Sequence, residues 1–219
     1  MENLWNHKLT VRLAVVSMSV AWPCGVVRGQ TTAWHTVQLN YGIRLAVPHD
    51  WTTDQPAVAT AIRADQRVVD ASVLSADENG HLIIFKDPSF DTNEVSLEIQ
   101  VMPARISQAA LARMSDAEIQ AGEESVFRPE VDGVAKRHAL RITWWNGTSR
   151  RTIGGRYGLL TGYRFKYPNG REVIKETYSV YLGSKSVNVH VFRQTKADAR
   201  IVSALNHMIQ SLVISVDSL

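Results

Sequence analysis

The sequence predicts an α+β fold in which helices pack on an antiparallel β-sheet. Three observations predict it: strand-like segments near the C-terminus are joined by short turns, an amphipathic helical segment follows them, and another helical segment separates two groups of candidate strands. Short turns can join only antiparallel neighbours, because parallel strands need a long crossover between them. Strands grouped in this way, with helices between and after them, are typical of an α+β layout.

The strands near the C-terminus predict a three-stranded meander. Residues 158–167, 171–182 and 186–192 alternate in polarity, with the period of half-buried strands. Pro168-Asn169-Gly170 separates the first two segments, and a turn at residues 183–186 leads into the last one. Asn-Gly favours a tight hairpin because both residues tolerate the positive φ that such turns need.

Two-residue loops at Asn169-Gly170 and Ser184-Lys185 would sort the side chains of this meander by face. The core face would then carry Phe165, Ile174, Tyr178, Val180, Leu182, Val187, Val189 and Val191. The opposite face would carry Arg164, Lys175, Thr177, Ser179, Tyr181, Asn188, His190 and Phe192. Arg164 opposite Lys175 is an unfavourable like-charge pair unless an anion or an acidic partner meets it.

Capping patterns mark two helices. Ser115 and Glu118 have the spacing of a capping box. Thr195 is the predicted cap of a segment with one apolar stripe, with Asp198 in its first turn. That stripe consists of Ile201, Leu205, Met208, Ile209 and Leu212. The further candidates are helices at residues 106–113 and 59–68, strands at 36–39, 41–47, 81–86, 95–102 and 138–145, and a hairpin turn at Asn146-Gly147.

The first 29 residues have the pattern of a secretory signal peptide. Basic residues precede an apolar stretch, and small residues surround Arg28 at the usual cleavage spacing. We expect Gln30 to begin a single domain, residues 30–219, that is exported to the periplasm or the medium with no membrane span. An uncleaved anchor is the alternative, although Pro23 interrupts the apolar run. A lipid anchor on Cys24 is disfavoured because Trp22 and Pro23 precede it.

Composition excludes several classes of function. The chain has 24 basic and 21 acidic residues, and Lys8, Arg12, Arg28 and Glu2 belong to the signal segment. The mature chain is therefore close to neutral, which argues against a general nucleic-acid or anionic-membrane role. The single cysteine, Cys24, also lies in the signal segment. A disulfide scaffold, a cysteine nucleophile and a thiolate metal site are thereby excluded.

Few residues suggest chemistry. His49-Asp50 follows Pro48 and could be half of a metal or acid–base site, but adjacent residues of an extended chain point to opposite faces. We therefore interpret this pair as a turn that seats Trp51 on the core, and we expect no metal or other cofactor. Residues 154–162 are glycine-rich but lead into a strand, which favours a turn over a phosphate loop.

The order of elements resembles the PsbP-like and DcrB-like superfamily of exported α/β/α sandwich proteins. The residues that carry the resemblance are Tyr41-Gly42, Pro48 and Trp51 around an early strand, and Val101-Met102-Pro103 before the helical segment. The meander and the closing helix also match, so the resemblance covers most of residues 35–216. It implies a binding, adsorption or accessory protein, with no catalytic residue to carry over to this chain.

These observations predict an exported, non-catalytic binding or accessory protein of the bacterial cell envelope. Its partner would be an envelope protein or a small anionic ligand, held on the sheet face by Arg164, Lys175, Thr177, Ser179, Tyr181, Asn188 and His190. The alternative is an envelope hydrolase or a metal-dependent enzyme that uses His190 or His49.

Overall fold

The computed structural model describes residues 33–90, 93–104 and 106–215, so the predicted signal peptide lies outside the described residues. The strands are β1 (Trp34–Leu39), β2 (Ile43–Pro48), β3 (Thr52–Thr53), β4 (Val68–Ala71), β5 (His81–Lys86), β6 (Ser96–Pro103), β7 (Arg141–Ile153), β8 (Arg156–Lys166), β9 (Glu172–Tyr181), β10 (Lys185–Gln194) and β11 (Val213–Ile214). The helices are α1 (Pro56–Arg63), α2 (Gln108–Arg113), α3 (Asp116–Gly122), a π-helical turn (Glu123–Phe127), α4 (Arg128–Arg137) and α5 (Ala199–Ser211).

The strands form two sheets. The smaller has the order β11-β2-β1-β4, and the larger has the order β3-β5-β6-β10-β9-β8-β7. Every neighbouring pair in the larger sheet is antiparallel, and in the smaller sheet the pair β1–β4 is parallel. The predicted α+β class with helices on an antiparallel sheet is therefore confirmed, although β1 and β2 lie in a sheet of their own.

Other elements pack on both faces of the larger sheet. On one face, Val180, Val187, Val189 and Val191 belong to the main core, together with residues of the smaller sheet, α1 and α5. On the other face, apolar residues of β8 and β9 pack against the helical segment 108–137. The large sheet is thus the middle layer of a sandwich.

The first hairpin of the meander differs from the prediction by one residue. Its loop has three residues, Pro168 to Gly170, and the amide of Tyr167 donates to the carbonyl of Arg171 at 2.8 Å. In a two-residue loop Pro168 would have to supply that amide, and proline has none. Gly170, with φ of +88°, closes the longer loop.

The one-residue shift moves two predicted residues to the other face. Lys175 pairs with Tyr163, and Arg164 pairs with Ile174. The placement of Arg164 opposite Lys175 was therefore wrong, and Phe165 lies on the helix-covered face instead of the main core. In the second hairpin the loop is Gly183-Ser184, with the amide of Leu182 donating to Lys185. The observed register differs from the predicted one by two residues. A shift of two leaves each side chain on its predicted face of the sheet.

The meander also has a fourth strand, because Asn146-Gly147 is a bulge and not a hairpin turn. The register of β7 against β8 shifts between Trp145 and Gly147, and Gly147 has φ of +81°. The actual turn is Gly154-Gly155, in the glycine-rich stretch for which a turn was predicted. A bulge of this kind bends a strand without ending it.

Capping explains where two of the helices begin. The capping box of Ser115 and Glu118 is confirmed. At α5 the cap is Asp198, whose carboxylate accepts from the amide of Ile201 at 2.9 Å, so the assignment of Thr195 as the cap was wrong. The candidate helix at 59–68 corresponds to α1, which ends at Arg63 before β4 begins.

Candidate functional site

A row of hydrogen-bonded polar side chains crosses the helix-facing side of the large sheet. We call this set the polar row: Asp54, His81, Glu98, Gln100, His190 and Thr177. The register explains its continuity, because His190 lies between Thr177 on β9 and Glu98 on β6. Strand pairing therefore brings together residues that are far apart in the sequence.

His190 is the buried centre of the polar row. Thr177 Oγ1 lies 2.9 Å from Nδ1, and Gln100 Oε1 lies 3.1 Å from Nε2. The Gln100 carbonyl can only accept, so Nε2 carries the proton and Nδ1 accepts from the threonine hydroxyl. Burial, with the positive charge of Lys175 nearby, lowers the pKa of His190 well below its ordinary value. His190 is thus a neutral imidazole with both nitrogens engaged.

His81 lies at the other end of the row in the opposite electrostatic environment. Its Nε2 is 2.6 Å from Asp54 Oδ2, and its Nδ1 is 3.3 Å from Glu98 Oε1. Burial disfavours the charged ring, but the hydrogen bonds and charges of the two carboxylates outweigh burial and raise the pKa of His81. The row therefore runs from a neutral histidine to one that favours its protonated form.

Lys175 lies beside the row, next to aromatic rings. Its Nζ is 5.0 Å from the centre of the Phe192 ring, within the range of a cation–π contact. Burial lowers the pKa of Lys175, whereas the charges of Glu98 and Glu130 act in the opposite direction. Across the strand pair, burial and the charge of Glu130 raise the pKa of Tyr163 to about 12.

The structure brings most of the predicted site residues onto this face and separates one from them. Thr177 and His190 belong to the row, and Lys175 and Asn188 flank it. Two others are covered: Ser179 and Tyr181 are buried, near the point where Gln108 of α2 donates to the Tyr181 carbonyl. Arg164 lies on the other face.

The environment of Arg164 differs from the predicted one. Its guanidinium lies 5.6 Å from the centre of the Trp144 ring and 3.9 Å from Glu172. Trp144 is exposed, whereas Trp145 stacks on Tyr163, so one indole of the pair faces solvent and one packs inside. Arg164 is therefore part of an exposed aromatic and charged patch, not of the polar row.

Sequence reasoning missed four members of the polar row: Asp54, His81, Glu98 and Gln100. A signal was present, since Glu98 and Gln100 alternate with Leu97, Ile99 and Val101 in β6. That alternation shows that these polar residues share a face, but it does not show which strand lies beside β6.

The His49-Asp50 pair separates as expected, but each residue has an unexpected partner. Asp50 accepts from Arg200 of α5 at 3.1 Å. His49 lies against His35 and near Asp65, two residues that sequence spacing had not connected with it. Trp51 is buried in the main core, so the turn seats this indole as predicted.

Solved structures share this fold, although no family model and no curated protein matches the sequence. The solution structure of cyanobacterial PsbP (CyanoP) from Synechocystis sp. PCC 6803 has a TM-score of 0.51 at 12% identity, covering 89% of this chain and 99% of that chain. This likeness shows a PsbP-like architecture, as the resemblance had implied.

Two further structures are more distant. A protein from Bacteroides thetaiotaomicron VPI-5482 has a TM-score of 0.44 at 10% identity, over 84% of this chain and 50% of that one. LpqN, a protein involved in cell envelope biogenesis of Mycobacterium tuberculosis, has a TM-score of 0.42 at 12% identity, over 86% of this chain and 94% of its own.

Among the described residues, every helix is too short or too polar to cross a bilayer.

Proposed function

We propose that the protein is an exported binding module of the bacterial cell envelope, and that it holds a partner protein on the uncovered part of the polar row. The observation that carries this proposal is the row itself, whose donors and acceptors are fixed by mutual hydrogen bonds. Polar groups held in this way present a defined pattern to a partner and lose little entropy on binding.

The uncovered part of the row lies around β5 and β6, next to β10. The helices α2, α3 and α4 contact β7 and β8. By contrast, the side chains of His81 and Glu98 stay 22% and 19% exposed, and that of Asp54 stays 37% exposed. Asn188 on β10 is also half-buried. A partner could therefore cover these groups and complete their burial.

The charge of this region favours a protein partner over a small anion. The anion hypothesis depended on Arg164 facing Lys175, and the observed register places Arg164 on the other face. The uncovered groups include the carboxylates of Asp54 and Glu98 around His81. Such a surface suits a partner with hydrogen-bond donors or positive charge.

The hydrogen bonds of His190 favour a binding role over a hydrolytic one. A general base needs a free lone pair within reach of the substrate proton. Nδ1 of His190 accepts from Thr177 and Nε2 donates to Gln100, so neither nitrogen is free. The alternative that uses His49 would depend on a separate cluster, in which His49 lies against His35 and near Asp65.

In-cell photo-crosslinking tests this proposal. A photoreactive amino acid replaces Asn188, and in a matched control it replaces Val126, which is exposed on the π-helical turn. We expect one discrete crosslinked protein from Asn188 and none from Val126, in an envelope or periplasmic fraction, with a chain that begins at Gln30. Adding Glu98→Lys should abolish the product, because it reverses a charge on the proposed contact surface.

Two results would contradict the proposal. A chain confined to the cytoplasmic fraction would refute export. Equal or absent crosslinking from the two probe positions would refute the sheet face as the binding surface.

A further inference from the structure

A second cluster of metal-ligating side chains lies away from the polar row. His35 is on β1, His49 follows β2, and Asp65 is in the turn after α1. Antiparallel pairing of β1 and β2 brings the first two together, and the amide of His49 donates to the carbonyl of Ala33 at 2.8 Å. Three segments of the chain therefore converge on one point.

The three ligand atoms form a small triangle. His35 Nε2 lies 2.8 Å from His49 Nδ1 and 4.0 Å from Asp65 Oδ1, and His49 Nδ1 lies 3.7 Å from the same carboxylate oxygen. The circle through these atoms has a radius of about 2.1 Å, which matches metal–imidazole and metal–carboxylate bonds of roughly 2.0–2.2 Å. One cation at its centre would reach all three atoms with little movement.

A backbone hydrogen bond fixes the ligand atom of His35. Its Nδ1 lies 2.7 Å from the carbonyl of Gln66, which can only accept, so Nδ1 carries the proton. The Nε2 lone pair therefore faces His49 and Asp65. His35 is 1% exposed, so packing holds the ring in this orientation. Metal-binding histidines commonly donate their second nitrogen to a backbone carbonyl in this way.

The same short turn supplies the carboxylate and the orienting carbonyl. Asp65 has φ of +57°, a conformation that aspartate tolerates better than most residues, and Gln66 follows it directly. The turn is held to α1 because the amide of Asp65 donates to Ile62 and that of Gln66 donates to Ala61. The Asp65 side chain is 76% exposed, so a cation can reach the cluster from solvent.

We propose that His35, His49 and Asp65 bind one Zn²⁺ ion or a divalent transition-metal ion of similar size. Two imidazoles and one carboxylate suit Zn²⁺, Co²⁺ and Ni²⁺, whereas Ca²⁺ and Mg²⁺ prefer sites made of oxygen ligands. The three protein ligands leave one position open, and because the His49 and Asp65 side chains are exposed, a solvent molecule completes the coordination from that side. The 2.8 Å contact between His35 Nε2 and His49 Nδ1 is a hydrogen bond in which His49 donates, because the ring proton of His35 is on Nδ1, and a bound ion would replace the shared proton.

Titration of the tag-free, metal-stripped chain with Zn²⁺ tests this site. We expect one ion per chain by calorimetry, and an increase in the unfolding temperature with added Zn²⁺ because the ion binds the folded state. His49→Asn and Asp65→Asn should each weaken binding by about tenfold or more, since each removes one of three ligands. Both side chains are substantially exposed, so these variants should still fold.

Two matched variants separate this site from other histidine–carboxylate contacts. His81→Asn removes the histidine that contacts Asp54 and Glu98, and His138→Asn removes an exposed histidine. Both should keep the wild-type affinity for Zn²⁺. Equal affinity in the wild type, His49→Asn and Asp65→Asn would overturn the proposal, as would loss of binding in His81→Asn alone.

A spectroscopic measurement on the wild type keeps the test decisive even if a variant misfolds. X-ray absorption of the Zn²⁺-loaded chain should show two imidazole ligands, and Co²⁺ should give the visible bands of a low-coordinate site. A bound ion with only oxygen ligands, or no bound ion at all, would show that the cluster is a hydrogen-bonded group and not a metal site.

Discussion

The two histidines of the polar row differ in protonation because their neighbours differ. His190 is surrounded by neutral partners and a nearby lysine, so burial keeps it uncharged. His81 contacts Asp54 and Glu98, and these carboxylates favour its charged form despite burial. The sequence identified His190 as a candidate because the alternating polarity of its strand was clear. It did not identify His81, because its partners are 17 and 27 residues away.

His81 should make the stability of the protein depend on pH. Its pKa is raised in the folded state, so its contribution is complete below about pH 6.5, the ordinary histidine value. The contribution is lost as the pH rises through the folded pKa. We expect the free energy of unfolding, measured with urea, to fall more between pH 6 and pH 9 in the wild type than in His81→Gln.

The control for this prediction is His138→Gln, which alters an exposed histidine. It should keep the wild-type dependence on pH. NMR titration of the His81 ring gives the direct check, and a midpoint at or below about 6.5 would contradict the predicted shift.

At the scale of elements, most strands and helices were predictable from the sequence, whereas the register of the first hairpin was predicted wrongly. The alternation of β8, β9 and β10 identified each strand, and the one-residue error came from the loop at Pro168. A proline cannot donate in the closing pair of a two-residue loop, so this correction was available from the sequence. The bulge at Gly147 was not, because Asn-Gly is also the strongest signal for a hairpin turn.

That bulge is tied to the π-helical turn by one buried carboxylate. Glu123 is buried at the start of the turn, and it accepts from the indole of Trp145 and from the amide of Thr148. Both donors flank Gly147, where the pairing of β7 is interrupted. A tertiary contact of this kind has no local sequence signature, which explains why neither the π-helical turn nor the bulge was predicted.

Glu123→Ala should therefore destabilise the protein. It leaves the half-buried Trp145 and Thr148 donors without this partner, and an unsatisfied group costs about 1–3 kcal/mol when it is fully buried. Because water can reach half-buried donors, we expect the free energy of unfolding in urea to fall by roughly 1–3 kcal/mol in total. The adjacent Glu124 is exposed, and Glu124→Ala should change stability by less than about 0.5 kcal/mol. Equal effects of the two substitutions would refute this role of Glu123.

At the scale of the whole molecule, the order of elements predicted the sandwich class but not how the two sheets are joined. Besides the shared core, a polar contact between the two sheets is made by Arg200 at the start of α5. Its Nη1 lies 3.1 Å from Asp50, which follows the small-sheet strand β2, and its Nη2 lies 3.1 Å from Asp87, which follows the large-sheet strand β5. These residues are far apart in sequence, so no local pattern could connect them.

The two carboxylates that Arg200 contacts differ in burial, so loss of each contact should cost a different amount of stability. The Asp87 side chain is 2% exposed, whereas that of Asp50 is 50% exposed. Arg200→Met would leave the Asp87 carboxylate buried without its cation, and breaking a buried pair costs up to about 3–5 kcal/mol. Because Arg200 itself is partly exposed, solvent screening reduces this cost, and we expect a loss of roughly 2 kcal/mol.

Asp50→Asn is the matched control, because it removes the exposed partner of the same arginine. We expect it to change the free energy of unfolding by less than about 1 kcal/mol, as surface ion pairs contribute little. Urea unfolding of the wild type and the two variants measures both effects. If Asp50→Asn is as damaging as Arg200→Met, the contact with Asp87 does not dominate the stabilising effect of Arg200, and the exposed contact with Asp50 carries as much of it.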